Sequence, residues 1–555
     1  EVQAVAKGLI ASGIEPGQRV GIMSRTRYEW TVYDFAIWFA GAVSVPIYES
    51  SAAAQIEWIL GNSGAVAFVV ENASMRSRFD EVASNLKDVH TVFQLDTFDT
   101  EHLKNAGVSV SDETLEARRT QSNLDDLATI IYTSGTTGKP KGCELLHRGF
   151  VDLSRNATKS IAEVVFEGAS TLLFLPLAHV FARFISVLAI HGGVKVGHQP
   201  DAKNIAEAMQ SFHPTFLLAV PRVFEKVYNS AEQKAEAGGK GDIFRKAVAT
   251  AIKYSEALET KSGPGLSLKL QHKVFDVLVY NKLRKAMGGA VQYAVSGGAP
   301  LGHRLGHFYR ALGIYVLEGY GLTETTAPAM IARPSFIKIG KVGQLLPGCG
   351  IKIDDDGEIL LRGTNTLRGY WKNPEATAAA FDGDWFKTGD IGQLDEDGFL
   401  TITGRKKELI ITAGGKNVAP APLEDPLTAN PLIGQAVVVG DNKPFISALI
   451  ALDPEMLPIW LKNQGIDREL TISEAAQSPV VIKEIQDAIN KVNKNFSQAE
   501  QIRKFAILDV VLSEASGHMT PSLKVKRNVV HADFAGVIEG LYEPPADSGA
   551  INTIN

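Results

Sequence analysis

Between Glu1 and Val70 the chain alternates segments of two different hydrophobic periods, and that alternation constrains the fold more than any single motif. Val2, Val5, Ala6, Leu9 and Ile10 recur at helical spacing, and Gly13 with Pro16-Gly17 ends the segment. Arg19–Ser24 reads as a strand, Glu29–Ala42 as a helix, Val43–Tyr48 as a strand, Ser51–Leu60 as a helix and Ala65–Val70 as a fully apolar strand. Parallel strands can be joined only by crossovers long enough to land on a face of the sheet. The rhythm therefore predicts an α/β domain, a largely parallel sheet covered by helices on both sides. A chain of 555 residues has room for roughly two to four such units.

The alternation continues with strands at Thr171–Leu175 and Thr215–Val220, a helix at Phe181–Ile190, and Pro221 opening a helical region that runs to residue 287. Gly238–Gly241 and Ser262–Gly265 interrupt that region. Its last part, Leu266–Met287, is amphipathic and basic, with Leu270, Val274, Val277 and Leu278 beside Lys269, Lys273, Lys282, Arg284 and Lys285. Such a run is either a membrane-surface helix that collects an acyl chain or a helix packed on its own domain with a solvated basic face. After residue 335 the pattern turns to β, with tight turns at Asp354–Gly357 and Asp395–Gly398. From about Gly404 the composition suggests a separate α+β unit, and residues 546–555 read as a disordered tail.

One loop carries the chemistry. Leu127–Ile131 is an apolar strand, and Tyr132-Thr-Ser-Gly-Thr-Thr-Gly-Lys-Pro-Lys-Gly142 leaves its end. Gly135, Gly138 and Gly142 permit tight turning and close approach to a ligand. Thr133, Ser134, Thr136 and Thr137 offer hydroxyls, and Lys139 and Lys141 offer charge, as a polyphosphate cradle requires. The commoner nucleotide loop G-x-x-x-x-G-K-[ST] does not fit: with Lys139 as its lysine it would need glycine at Thr133 and a hydroxyl at Pro140. There is also no G-x-S-x-G elbow, no H-E-x-x-H and no Cys/His cluster.

The loop resembles the phosphate loop of the adenylate-forming superfamily, which includes the acyl-CoA synthetases. Further motifs follow in that family's order: Ser296-Gly-Gly-Ala-Pro-Leu301, Glu318-Gly-Tyr-Gly-Leu-Thr-Glu-Thr325, Thr388-Gly-Asp390, Thr403-Gly-Arg-Lys-Lys-Glu408, Ala413-Gly-Gly-Lys-Asn417 and Met519-Thr-Pro-Ser-Leu-Lys-Val-Lys-Arg527. The resemblance covers residues 1 to about 542. It implies a large layered N-terminal domain, 1–404, and a small α+β C-terminal lid, 405–545, joined by a hinge near Lys407. It implies that Thr133–Gly138, Lys139 and Lys141 hold the β- and γ-phosphates of ATP and that Gly298, Ala299 and Pro300 line the adenine site. It further implies that Tyr320 stacks on adenine beside Gly321, that Thr323 touches the α-phosphate, that Glu324 with Thr136 serves Mg²⁺, and that Asp390 and Arg405 take the ribose. Lys524 would be the catalytic lysine, His179 would line the acyl pocket, and Gly414, Gly415 and Lys416 would line the tunnel for coenzyme A. Leu523 stands where the family more often has glycine, a variant similar to the long-chain fatty acid–CoA ligases, which the helical region 221–287 also resembles.

The expected reaction joins a long-chain fatty acid to coenzyme A through an acyl-adenylate. Two alternatives stay open: a ligase that loads an acyl-carrier protein, and a catalytically silent acyl- or nucleotide-binding protein. The short run from Gly363 to Thr388 speaks against the first, and intact Glu324, Asp390, Arg405 and Lys524 against the second. The chain opens in a helix without methionine, and the expectation is a trimmed start. A net charge of −6 gives no general attraction to nucleic acid. Two cysteines without metal or disulfide spacing, no 18-residue apolar run and no signal-peptide pattern predict a cytoplasmic protein without a transmembrane segment, in peripheral contact with a membrane at most.

Overall fold

A computed structural model describes residues 1–133, 139–520, 523–543 and 551–553. Among these residues the expected parallel sheet is six-stranded, in the spatial order Thr91–Gln94, Ala65–Val70, Arg19–Met23, Val43–Ile47, Leu127–Thr133 and Lys141–Leu146. All neighbours are parallel except the last pair, which is antiparallel. The phosphate-loop candidate thus starts and finishes on paired strands: Tyr132 faces Gly142 and Thr133 faces Lys141 across the ladder. Gly142 is needed for packing rather than for turning, since a Cβ there would lie 2.7 Å from Ile130 Cγ2.

A seven-stranded sheet carries Lys195–His198, Ser170–Leu173, Phe216–Ala219, Tyr293–Ser296 and Tyr315–Leu322 in parallel, then Ala327–Ile331 and Gln344–Leu345 antiparallel. Its helices include Pro221–Ala237 and Gly241–Ala257, which bury Phe224, Tyr228 and Phe244 against the core. A five-stranded antiparallel sheet between residues 349 and 405 closes the large domain. The two parallel sheets are tied together at Arg183 in the helix Val180–His191. Its guanidinium is wholly buried and donates twice to Asp34, at 2.7 and 2.8 Å, and to Thr129 and Ser44.

The smaller C-terminal domain has its own core around Ile433–Val439, Ile446–Leu452 and Ile502–Ile507, backed by the helix Pro479–Asn493. Residues 546–555 are not all a loose tail: Ile551–Thr553 pairs antiparallel with Lys504–Ala506 as the sheet's fourth strand. Between the domains Lys406 pairs with Asp356 and with Glu358 (2.9 Å) in the large domain. Glu408 faces Arg527 of the small domain at 3.5 Å.

Candidate active site

A cavity of ≈ 2450 Å³ lies between the domains. It exceeds the roughly 300–1,000 Å³ of an ordinary small-molecule pocket, so more than one substrate fits in it. Thr133, Lys141, His179, Gly298, Ala299, Pro300, Gly321, Thr323, Glu324, Arg405, Lys407 and Lys524 all line it. Residues separated by nearly four hundred positions therefore meet on one surface.

The floor is the strand Tyr315–Leu322 with the 3₁₀ turn Thr323–Thr325. Only glycine fits at 321, because the carbonyl of Ala327 would lie 2.0 Å from a Cβ there. Beside this strand runs the Gly297–Pro300 loop, with Gly298 in the left-handed region (φ +85°). Glu318 braces that loop from below: its Oε2 accepts the Leu301 N–H at 3.0 Å. Glu318 is 8% exposed, and burial pushes its carboxyl up to about 7 against the pull of the Leu301 and Gly340 N–H groups.

Glu324 projects from the 3₁₀ turn into the cavity, and the Tyr370 hydroxyl donates to its Oε1 at 3.1 Å. The buried Cys143 thiol stands beside Glu324 and Thr133; burial, and next the Glu324 carboxylate, hold it well above the ordinary thiol range. Among the described residues no cluster of three His, Cys, Asp or Glu side chains is arranged for a metal ion.

Asp390 is buried and each of its oxygens is bonded. Arg405 Nε donates to Oδ1 at 2.8 Å and the Tyr320 hydroxyl to Oδ2 at 2.7 Å. Tyr320 and Asp390 therefore sit one layer behind the cavity surface, with Tyr320 packed against Met330 and Ile359, whereas stacking on adenine was expected of Tyr320. Lys139 is likewise turned to the Trp58 ring, 4.4 Å from its centroid, and does not line the cavity, whereas Lys141 does. Ser134, Gly135, Thr136, Thr137 and Gly138 lie outside the described residues.

From the small domain comes Lys524, whose Cε lies 3.9 Å from the position a Cβ on Gly298 would take. Its side chain is exposed, but only to the cleft, with protein on every side. That enclosure, and next Arg405, lower its pKa from the ordinary lysine value. Leu523 adopts φ +61°, the left-handed conformation that glycine takes without strain. His179 caps the helix Val180–His191: its Nδ1 accepts the Phe181 N–H at 3.2 Å, so the proton resides on Nε2. Burial, and next Lys524, lower its pKa to about 4, which keeps the imidazole neutral. Gly414, Gly415 and Lys416 do not line the cavity, and Lys416 pairs with Glu500 at 3.3 Å within the small domain. Sequence reasoning missed Tyr370, a lone tyrosine without a spacing signal, and the contacts of Glu318 and Glu408, which stand in motifs but meet Leu301 and Arg527 only through the fold.

Residues 1–371 match the AMP-binding enzyme family and residues 407–545 the AMP-binding enzyme C-terminal domain. The chain belongs to the AMP-binding enzyme family. It is 50% identical over 545 residues to the long-chain-fatty-acid–CoA ligase FadD15 of Mycobacterium bovis, covering 98% of this chain and 91% of that one. It is 31% identical to the long-chain-fatty-acid–CoA ligase ACSBG2 of Xenopus laevis, covering 98% and 79%. The fold is also that of the anthranilate CoA ligase AuaEII, with a TM-score of 0.70 at 20% identity over 97% of this chain and 91% of that one.

Proposed function

We infer that the protein activates a long-chain fatty acid with ATP and passes the acyl group to coenzyme A. A carboxylate oxygen attacks the α-phosphorus and the bond to pyrophosphate breaks; the thiol sulfur then attacks the acyl carbon and AMP leaves. The observation that carries this reading is Lys524 held over the Gly298 loop, in a cavity also lined by Val227, Phe244, Val279 and Leu283. The polar lining suits a nucleotide and the apolar side chains suit an acyl chain. The names of the relatives above support the same substrate.

In the first half-reaction Lys524 neutralises charge between the carboxylate and the α-phosphate, while Lys141 and Thr133–Gly138 would receive the outer phosphates. Glu324, fixed by Tyr370, would hold Mg²⁺, which supplies charge neutralisation at the phosphates when bound. Arg405 would contact the ribose, with Asp390 behind the wall holding its guanidinium, and neutral His179 keeps a single N–H for the acyl carboxyl. The division into 1–404 and 405–545, and a pivot at Lys407, are part of this proposal. The pivot is placed at 407 because that residue stands between Lys406, anchored on the large domain, and Glu408, which faces Arg527 of the small one. The proposal includes a rotation between the half-reactions because Lys524 lines the cavity and Gly414–Lys416 do not.

The test is pyrophosphate release across straight-chain acids, with and without coenzyme A. kcat/KM should climb with chain length, since each buried methylene contributes roughly 0.8 kcal/mol. Acetate or benzoate outperforming palmitate would overturn the assignment.

A further inference from the structure

The segment Leu266–Ala286 has two unlike faces. Inward, His272 stacks on Tyr254 with centroids 3.9 Å apart and its Nε2 bonds the Ala311 carbonyl at 2.8 Å. Tyr280 is buried and donates to the Ala247 carbonyl at 2.7 Å, and Leu283 is buried beside it. Outward, Leu266 (86% exposed), Leu270 (66%), Val274 (49%), Val277 (72%) and Leu278 (47%) form an apolar stripe with nothing against it. The helix Leu266–Phe275 buries none of its residues. A packed helix with a merely solvated polar back would not present this surface.

Charge borders the stripe. Lys269, Lys273, Lys282 and Lys285 are exposed, and none is in an ion pair among the described residues. The segment's one acid, Asp276, is taken by Arg284 at 2.7 Å. A strongly cationic strip thus stands on a chain of net charge −6. The stripe is also continuous with the active site: Leu278 and Lys282 belong both to this surface and to the cavity wall, and the half-buried Val279 and buried Leu283 lead inward from them. A π-helical turn, Asp276–Tyr280, interrupts the α-helix at that junction.

We propose that this face lies in the plane of an anionic lipid surface and that the acyl chain enters the cavity past Leu278 and Lys282. The apolar stripe supplies insertion between headgroups, and the lysines supply selectivity for anionic lipid. The occupant is a bilayer and not a second copy of the chain, because two such faces would oppose their unpaired lysines. The proposal rests on the fatty-acid reading above, but vesicle binding needs no catalysis, so failure of one is distinguishable from failure of the other.

The experiment is co-sedimentation of the full chain with phosphatidylcholine vesicles, with and without about 30 mol % phosphatidylglycerol. Binding to the anionic vesicles should be roughly tenfold tighter and should weaken in high salt. Leu270→Ser with Val277→Ser should lose roughly tenfold of that binding with an unchanged melting temperature. Its rate with palmitate presented in anionic vesicles should fall in parallel, while its rate with water-soluble decanoate stays at the wild-type value. Equal wild-type sedimentation with both vesicle types would overturn the proposal, and so would equal loss of both rates in the variant. A wild-type dimer that the variant converts to monomer would overturn it as well, by assigning the stripe to a second copy.

Discussion

Replacing Glu318 by glutamine should stabilise the protein at alkaline pH and leave it unchanged at acidic pH. Glu318 sits beneath the strand Tyr315–Leu322 and accepts the Leu301 N–H, so it supports the loop over which Lys524 lies. Its carboxyl titrates at about 7 in the folded chain against an ordinary 4.5, because burial outweighs its hydrogen bonds. The folded state therefore holds a proton that the unfolded state releases between those two values. Stability must fall as pH rises through this window, and the loss is complete above about 7. At ~1.4 kcal/mol per pH unit the loss is about 3 kcal/mol, an order-of-magnitude figure. Glutamine mimics the protonated acid at all pH, still accepting from Leu301. Glu318→Gln should then match wild type near pH 4.5 and melt on the order of 3–6 °C higher at pH 8. Paired thermal melts from pH 4.5 to 8.5 measure this. A difference between the two proteins that stays constant with pH would refute the reasoning.

Three further outcomes are expected. Comparing Leu523→Gly with Leu523→Ala isolates the left-handed backbone at φ +61°, and the glycine variant should be more stable by about 1 kcal/mol in denaturant unfolding; alanine matching it would mean the conformation is not occupied in solution. Arg183→Met leaves the Asp34 carboxylate buried without its cation and should cost about 3–5 kcal/mol, read as loss of folded protein in the same denaturant titration. Lys407→Pro fixes one dihedral at the junction and should leave acyl-adenylate formation intact while abolishing thioester formation; a folded variant that completes both half-reactions at the wild-type rate would move the pivot elsewhere.

The parallel sheet was legible because its strands are continuous apolar runs, as in Ala65–Val70, with amphipathic helices between them. The hairpin partner Lys141–Leu146 was hidden, since it begins inside the glycine- and lysine-rich motif and reads as loop. Helices such as Asp112–Gln121 bury only Leu115, which leaves no periodic stripe to find. The short strand Ile551–Thr553 could not be told from a tail because its pairing to Lys504–Ala506 is a tertiary event. At the site, motif spacing located the residues that line the cavity but not their depth. Tyr320 and Asp390 bond each other behind its wall, a matter of strand register and packing rather than of residue type. Tyr370, which positions Glu324, has no motif of its own, and Glu318 stands in one without its bond to the Gly298 loop being readable from it.

If an acyl-adenylate is made under Lys524 and consumed by coenzyme A, a single-turnover quench with labelled palmitate resolves the two steps. Enzyme, ATP and Mg²⁺ without coenzyme A should give enzyme-bound palmitoyl-adenylate and one equivalent of pyrophosphate. Adding coenzyme A should convert the adenylate to palmitoyl-CoA and AMP. Lys524→Ala should lose the first step by orders of magnitude, yet turn supplied palmitoyl-adenylate into thioester at close to the wild-type rate. Palmitoyl-CoA appearing with ADP and phosphate, or equal loss of both steps in Lys524→Ala, would contradict the account.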